Sequence, residues 1–462
     1  MAPVRHFDLA VIGSGSANSV LDPRFDALEV ALLEQGTFGG TCLNVGCIPT
    51  KMYVYAAEQA RHVQDAHRYG VDAHVDKVRW QDIVDRVFGR IDPISAGGER
   101  YRATGTPNTT LYRGRARFVG PKTVDTGTGE TITADRVVIA AGSRPVVPTE
   151  VRDSGVSFHT SDDVMRLPTL PDHLVVLGAG YIAAEFAHVF SALGTKVTFL
   201  ARGHRLLRQL DDDVSVRFTA LAQRKWEVRL QSAVAAVRGS DGAVEVALAD
   251  GSVVAGDALL VATGRYPNGD ELAVTAAGVG LHHDGRVMVD AQQRALSPRG
   301  EVLDGVFALG DISSPHQLKH VANHEARVLQ HNLLHPDAPR ATDHRFVPAA
   351  VFTDPQIASV GLTERAARAQ GLDITVTVQE YADVAYGWAM EDTEGFCKVI
   401  AEKVTGRILG AHVMGAQAPS IVQPLIQAMS FGLSAPDMAT GQYWIHPGLP
   451  EVVENALLGL QV

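Results

Sequence analysis

Two stretches of this chain repeat one local pattern: an apolar strand, a glycine-rich turn and the start of a helix. Residues 7–12 (FDLAVI) lead into Gly13-Ser14-Gly15-Ser16-Ala17-Asn18, and residues 173–177 (HLVVL) lead into Gly178-Ala179-Gly180-Tyr181-Ile182-Ala183-Ala184-Glu185. In such a unit the first glycine makes the tight turn and the second lets the backbone approach a pyrophosphate. The third lets the helix pack closely on the strand. A second strand follows each turn, at Glu29–Leu33 and at Lys196–Ala201. The first of these ends at Glu34, about 20 residues beyond the glycines, where a carboxylate can hold a ribose hydroxyl. A glycine pattern alone says little, but strand, glycines, helix and acid in this order predict an α/β chain with two Rossmann-like nucleotide-binding domains. The first unit is irregular. Asn18 stands where the third glycine is expected, and Asp22-Pro23 predicts an early end to its helix, because the residue before proline disfavours α geometry.

Between the two units lies Gly39-Gly40-Thr41-Cys42-Leu43-Asn44-Val45-Gly46-Cys47-Ile48-Pro49-Thr50-Lys51. On an ideal helix, residues five apart are separated by about 7.5 Å of rise and about 140° of rotation. Their Cα atoms would lie roughly 8–9 Å apart, beyond the roughly 7 Å reach of a disulfide. A Cys42–Cys47 bridge therefore requires a distorted first helical turn, which Gly46 and Pro49 favour. Strain of this kind makes a bridge exchangeable. The other readings are two buried free thiols or zinc ligands. The C-x4-C spacing is not the usual zinc spacing and no second ligand pair lies nearby, so no metal site is expected.

Composition excludes several classes. Net charge is 41 − 52 = −11, which argues against a nucleic-acid partner. No apolar run approaches the length of a membrane span, and the N-terminus has no secretory pattern. Only three cysteines occur in 462 residues, so a disulfide scaffold is excluded and the reducing cytoplasm is expected. Further along, Val137–Gly142 (VVIAAG) and Leu259–Gly264 (LLVATG) read as hinges where the second nucleotide domain joins the first. Val306–Gly310 (VFALG) leads to Asp311, an acid at a strand end. Strands at Ala349–Phe352, Ile374–Gln379, Phe396–Ala401 and Gly410–Met414, with helices between and after them, predict an α+β C-terminal domain.

GGTCLNVGCIPTK, GAGYIAAE, ATGRYPN, ALGD and HPGLPE occur in that order. Together they resemble the FAD-dependent pyridine nucleotide–disulfide oxidoreductases over essentially the whole chain. The resemblance implies a homodimer with an FAD-binding domain (1–147), an NADPH-binding domain (148–265), a central domain (266–342) and an interface domain (343–462). By motif position, Gly13, Gly15 and Ser16 would cradle the FAD pyrophosphate, Glu34 the adenosine ribose and Asp311 the ribitol. Gly40 and Thr41 would border the same cofactor. Lys51 and Glu185 would pair near the flavin, and Tyr181 would gate the nicotinamide pocket formed with Gly178, Gly180, Ile182, Gly264 and Arg265. His446, with Glu451 five residues on, resembles the family's His–Glu dyad, which reaches into the partner subunit's site.

The mechanism implied passes hydride from NADPH to FAD, and electrons from flavin to the Cys42–Cys47 bridge. Cys47 would face the flavin. Cys42 would attack the substrate disulfide, with His446 moving its proton. The nicotinamide preference is read from the residues: the second strand of the second unit ends without an acid, and Arg202 and Arg208 follow, which suits a 2′-phosphate. The C-terminal Gly459-Leu460-Gln461-Val462 carries no extra cysteine pair, and Cys397 reads as a packed thiol. The GSGSANS opening and the cysteine run resemble the branch acting on mycothiol disulfide (mycothione). Glutathione disulfide is the runner-up, and dihydrolipoamide oxidation is a further alternative.

Overall fold

A computed structural model describes residues 4–240 and 242–462. The first parallel sheet grows outward from Arg5–Ile12, flanked by Val30–Leu33 on one side and Thr131–Ile139 on the other. Thr109–Tyr112 extends it beyond Val30–Leu33. Val302–Ala308, from far along the chain, joins it in parallel beside Thr131–Ile139. Leu9, Ala10 and Val11 are wholly buried, as a strand covered on both faces requires. The second sheet runs Glu227–Arg229, Lys196–Leu200, His173–Leu177, Ala258–Val261, and its strands are all parallel. A third, wholly antiparallel sheet of five strands carries the C-terminal part, in the order Ala349–Val351, Ile357–Gly361, Ile408–Met414, Phe396–Glu402, Ile374–Glu380. The residues that follow the two segments read as hinges pair directly, Ser143–Pro145 antiparallel to Arg265–Pro267. Among the described residues no helix is long and apolar enough to cross a membrane.

Both glycine turns are shaped by one steric demand. Gly13 has φ +108°, and a Cβ there would lie 2.4 Å from the Ala140 carbonyl oxygen. Gly178 has φ +149°, and its Cβ would lie 2.3 Å from the Ala262 carbonyl oxygen. Each turn is thus pressed against the end of a neighbouring strand, at a backbone angle that side chains disfavour.

The two units then diverge. Tyr181–Ala192 forms an α-helix of three turns. The first unit makes only a short 3₁₀ turn at Ser16–Val20, then a second at Pro23–Phe25. Its carbonyls are satisfied from elsewhere. Arg102, buried, donates to Asn18 Oδ1 (2.8 Å), to the Asn18 carbonyl (3.0 Å) and to the Leu21 carbonyl (2.8 Å). Gln330 donates to the Val20 carbonyl (2.9 Å). Asn18 therefore replaces the missing glycine with a polar anchor for a buried guanidinium. Arg102→Met is expected to cost about 2–3 kcal/mol, because three acceptors lose a charged donor. Chemical denaturation checks this; unchanged stability would show that the turn is held by other contacts.

Candidate active site

The cysteines do not share one distorted helix. Gly40–Asn44 is a short helix that ends at Val45, and a second helix, Cys47–Asp65, starts immediately after Gly46. The break lies between the thiols, which relieves the separation that a continuous helix imposes. A Cβ on Gly46 would lie 2.9 Å from the Thr41 carbonyl oxygen, so the break closes tightly on the first helix. Thr50 Oγ1 donates back to the Gly46 carbonyl (2.7 Å), and Asn44 Nδ2 donates to the Phe38 carbonyl (2.9 Å). The two thiols are hydrogen-bonded to each other. That bond is the largest cause of two opposite shifts. Cys47 is lowered to about 7, with burial opposing and Lys51 and Lys319 assisting. Cys42 is raised, with burial adding to the effect. The first proton lost from the pair therefore leaves Cys47 as the thiolate.

Around the dithiol opens a cleft of about 1180 Å³. Its walls carry Gly13, Gly15, Ser16, Glu34, Gly40, Thr41, Lys51, Tyr181, Ile182, Glu185, Arg265 and Asp311, as well as both cysteines. Most residues singled out by motif position thus converge on one space. Gly15 and Gly40 approach so closely that a Cβ on Gly40 would lie 2.8 Å from the Gly15 Cα. Bare backbone on both sides of a turn is what a pyrophosphate needs, so this wall fits a dinucleotide such as FAD. Glu34 is oriented by Ser14, whose N–H and hydroxyl donate to Oε2 (2.9 and 2.6 Å), and by the Gly36 N–H at Oε1 (2.7 Å). Asp311 accepts from Ser143 Oγ (2.7 Å), which in turn accepts from Arg265 Nε (2.9 Å). Ser14 and Ser143 orient these two acids through contacts that no motif spacing reveals.

Lys51 Nζ lies 2.7 Å from Glu185 Oε2 and 4.5 Å from the centroid of the Phe352 ring. Arg202 and Arg208 lie outside the cleft lining, exposed, and no ion pair or hydrogen bond of their side chains occurs among the described residues. Leu207 N–H donates to the Ala179 carbonyl (2.8 Å), which brings this arginine segment beside the second glycine turn, Gly178–Gly180. Gly264 stands at φ +130° at the end of the second sheet. His446 is exposed and does not line the cleft. Its Nδ1 lies 2.6 Å from Glu451 Oε1, while Glu451 Oε2 accepts from the Gly448 N–H (3.0 Å). These two contacts hold the Glu451 carboxyl below its ordinary range, His446 first. Cys397 is fully buried in its strand, and burial pushes its thiol up to about 12. No cluster of His, Cys, Asp and Glu able to hold a metal occurs among the described residues.

Residues 7–326 match the family model described as pyridine nucleotide-disulphide oxidoreductase. Residues 347–457 match that family's dimerisation domain. The chain belongs to the pyridine nucleotide–disulphide oxidoreductase family. The second match assigns the C-terminal antiparallel sheet to dimer formation. Among curated relatives, mycothione reductase of Mycobacterium tuberculosis (strain H37Rv) is 60% identical, covering 98% of this chain and 99% of that protein. Glutathione reductase of Burkholderia cepacia is 34% identical, covering 96% of this chain and 97% of its own length. Among solved structures, the HOCl-induced flavoprotein disulfide reductase RclA from Escherichia coli superposes with a TM-score of 0.84 at 27% identity, over 98% of this chain and 99% of that one.

Lys51→Met would strand the Glu185 carboxylate, which is only 5% exposed. Because Lys51 is partly solvated, the expected loss is about 1–3 kcal/mol, below the range for a fully buried pair. Lys51→Met combined with Glu185→Gln should recover most of it. Equal stability of the single and double variants in urea would show that the pair carries no such penalty.

Proposed function

We propose that this oxidoreductase is an NADPH-dependent, FAD-containing reductase of mycothione, working in the cytoplasm as a homodimer. The observation that carries the substrate is the 60% identity, over 98% of the chain, to a protein named mycothione reductase. Glutathione disulfide is the second reading, on the weaker 34% likeness to a glutathione reductase.

Bound FAD would supply the two-electron relay between nicotinamide and dithiol. Gly13, Gly15, Ser16, Gly40 and Thr41 would bind its phosphates, Glu34 its ribose and Asp311 its ribitol. On the other face, Gly178, Gly180, Ile182, Gly264 and Arg265 would border the nicotinamide nucleotide, with Tyr181 covering the pocket. Arg202 and Arg208 would take the 2′-phosphate. Two charge-assisted contacts at roughly 1.5–3 kcal/mol each would favour NADPH over NADH by about 10²–10⁴-fold.

The dithiol does the exchange. Cys47, the thiol that ionises first, would be the member facing the flavin. Cys42 attacks the substrate disulfide, and one substrate thiolate leaves as a mixed disulfide forms. Cys47 then attacks Cys42, restoring the Cys42–Cys47 bridge and releasing the second thiolate. His446 takes the Cys42 proton and returns it to the departing sulfur, while Glu451 fixes the imidazole orientation. Its exposure suits a role across a dimer interface, since Phe431, Tyr443 and Ile445 expose apolar surface close to it in sequence.

His446→Ala should leave NADPH reduction of the flavin near wild type and lower disulfide turnover by about 10²–10⁴-fold. Stopped-flow separates the two halves, and equal loss in both would remove this role. Steady-state kcat/KM with mycothione, glutathione disulfide and lipoamide tests the substrate. Mycothione should lead by orders of magnitude, and robust glutathione turnover with negligible mycothione turnover would contradict the assignment. Equal kcat/KM for NADH and NADPH would contradict the role of the two arginines.

A further inference from the structure

Four basic side chains line the cleft wall: Lys51, Arg144, Arg265 and Lys319. Three are matched to acids. Lys51 pairs with Glu185 (2.7 Å), Arg144 with Asp270 (2.7 Å) and Arg265 with Asp162 (3.4 Å). Lys319 has no carboxylate partner among the described residues. Its Nζ donates to Ser16 Oγ (2.9 Å), and Ser16 Oγ lies 3.3 Å from Asn323 Oδ1. Lys319 is also the first residue of the helix Lys319–Leu334. A cation there opposes the positive end of the helix dipole. An unpaired cation at the unfavourable end of a helix, half-buried in a cofactor cleft, breaks the local charge rules without a structural gain. Such departures concentrate at functional positions.

The dithiol provides the reason. Reduction of a disulfide by two electrons creates up to two new negative charges in the cleft, less any protons taken up. Lys51 cannot neutralise them alone, because Glu185 already cancels its charge at contact distance. We propose that Lys319 is the net positive charge which each subunit supplies from its own cleft wall to stabilise the thiolate form of its reduced Cys42–Cys47 pair. The inference rests on the proposed exchange role of the two cysteines. Lys319 acts in the direction of ionisation at both thiols, whereas Lys51 acts on Cys47. Within one subunit the other titratable groups facing the pair do not duplicate this charge, and the partner's His446 would add a charge only at Cys42. Burial is the main cause that raises Tyr181 and lowers His316, on the loop before Lys319, so both are biased towards their neutral forms. His320, the second residue of that helix, directs Nε2 to the Pro348 carbonyl (2.8 Å), and Asp311 is engaged by Ser143.

The test is a pH titration of the long-wavelength thiolate–flavin absorbance in NADPH-reduced, FAD-saturated holoenzyme. Wild type should titrate with a midpoint near 7, the value to which Cys47 is lowered. Lys319→Met should raise that midpoint by about one unit, leaving roughly tenfold less thiolate on the acid side of the curve. Lys319→Arg should restore it, since the charge is kept. Hydride transfer from NADPH to flavin should change less than the thiolate midpoint in both variants. An unmoved midpoint in Lys319→Met overturns the inference, including the case in which that variant loses FAD affinity and Lys319 is a phosphate anchor instead. Absence of the band from wild type at every pH would remove the flavin-facing role of Cys47, and this inference with it. A band with an unmoved midpoint removes only the role of Lys319.

Discussion

One buried carboxylate ties the three parts of this molecule together. Glu185 sits on the first helix after the second glycine turn. Its Oε2 meets Lys51, four residues beyond Cys47 on the dithiol helix, at 2.7 Å. Its Oε1 accepts the backbone N–H of Phe352, just past the first strand of the C-terminal sheet, at 2.9 Å. A single side chain thereby fixes the dithiol, the second nucleotide unit and the dimerisation sheet in one arrangement. A carboxylate this buried is tolerable only with both contacts made, so none of the three parts can shift without exposing an unpaired charge.

That arrangement sets the electrostatics of the cleft. The Lys51–Glu185 pair is neutral overall, so it orients without adding net charge. The asymmetry of the two thiols comes instead from their mutual hydrogen bond, which favours ionisation at Cys47 and disfavours it at Cys42. The thiol nearer Lys51 carries the charge, and the other keeps its proton until a base removes it. A readily ionised thiol that would sit beside the flavin and a protonated one that would face substrate are suited to opposite halves of one cycle. His446, held by Glu451 on an exposed turn, is the base that the proposed dimer would bring to Cys42.

Much of this was legible in the sequence because it depends on short-range order. The glycine turns, Glu34 at its strand end and the cysteine run all follow from local patterns. The convergence of distant motifs on one cleft followed from the resemblance, not from spacing. What stayed hidden depends on contacts between distant residues. Asn18 looked like a defect in the first turn, and only Arg102, which forms part of a distant helical segment, shows what it anchors. The break between the cysteines was expected as a distorted turn and is a full separation of two helices, because Gly46 packs on Thr41 rather than continuing the ladder. Lys319 drew no notice, since a lysine at a helix start is ordinary until its neighbours are seen to lack an acid.

The central claim is that the two cysteines have distinct stations, Cys47 at the flavin and Cys42 at the substrate. The most direct measurement is the visible spectrum of NADPH-reduced Cys42→Ser and Cys47→Ser holoenzymes. The expected result is a long-wavelength thiolate–flavin band kept in Cys42→Ser and lost in Cys47→Ser. A band kept in Cys47→Ser and lost in Cys42→Ser would contradict it.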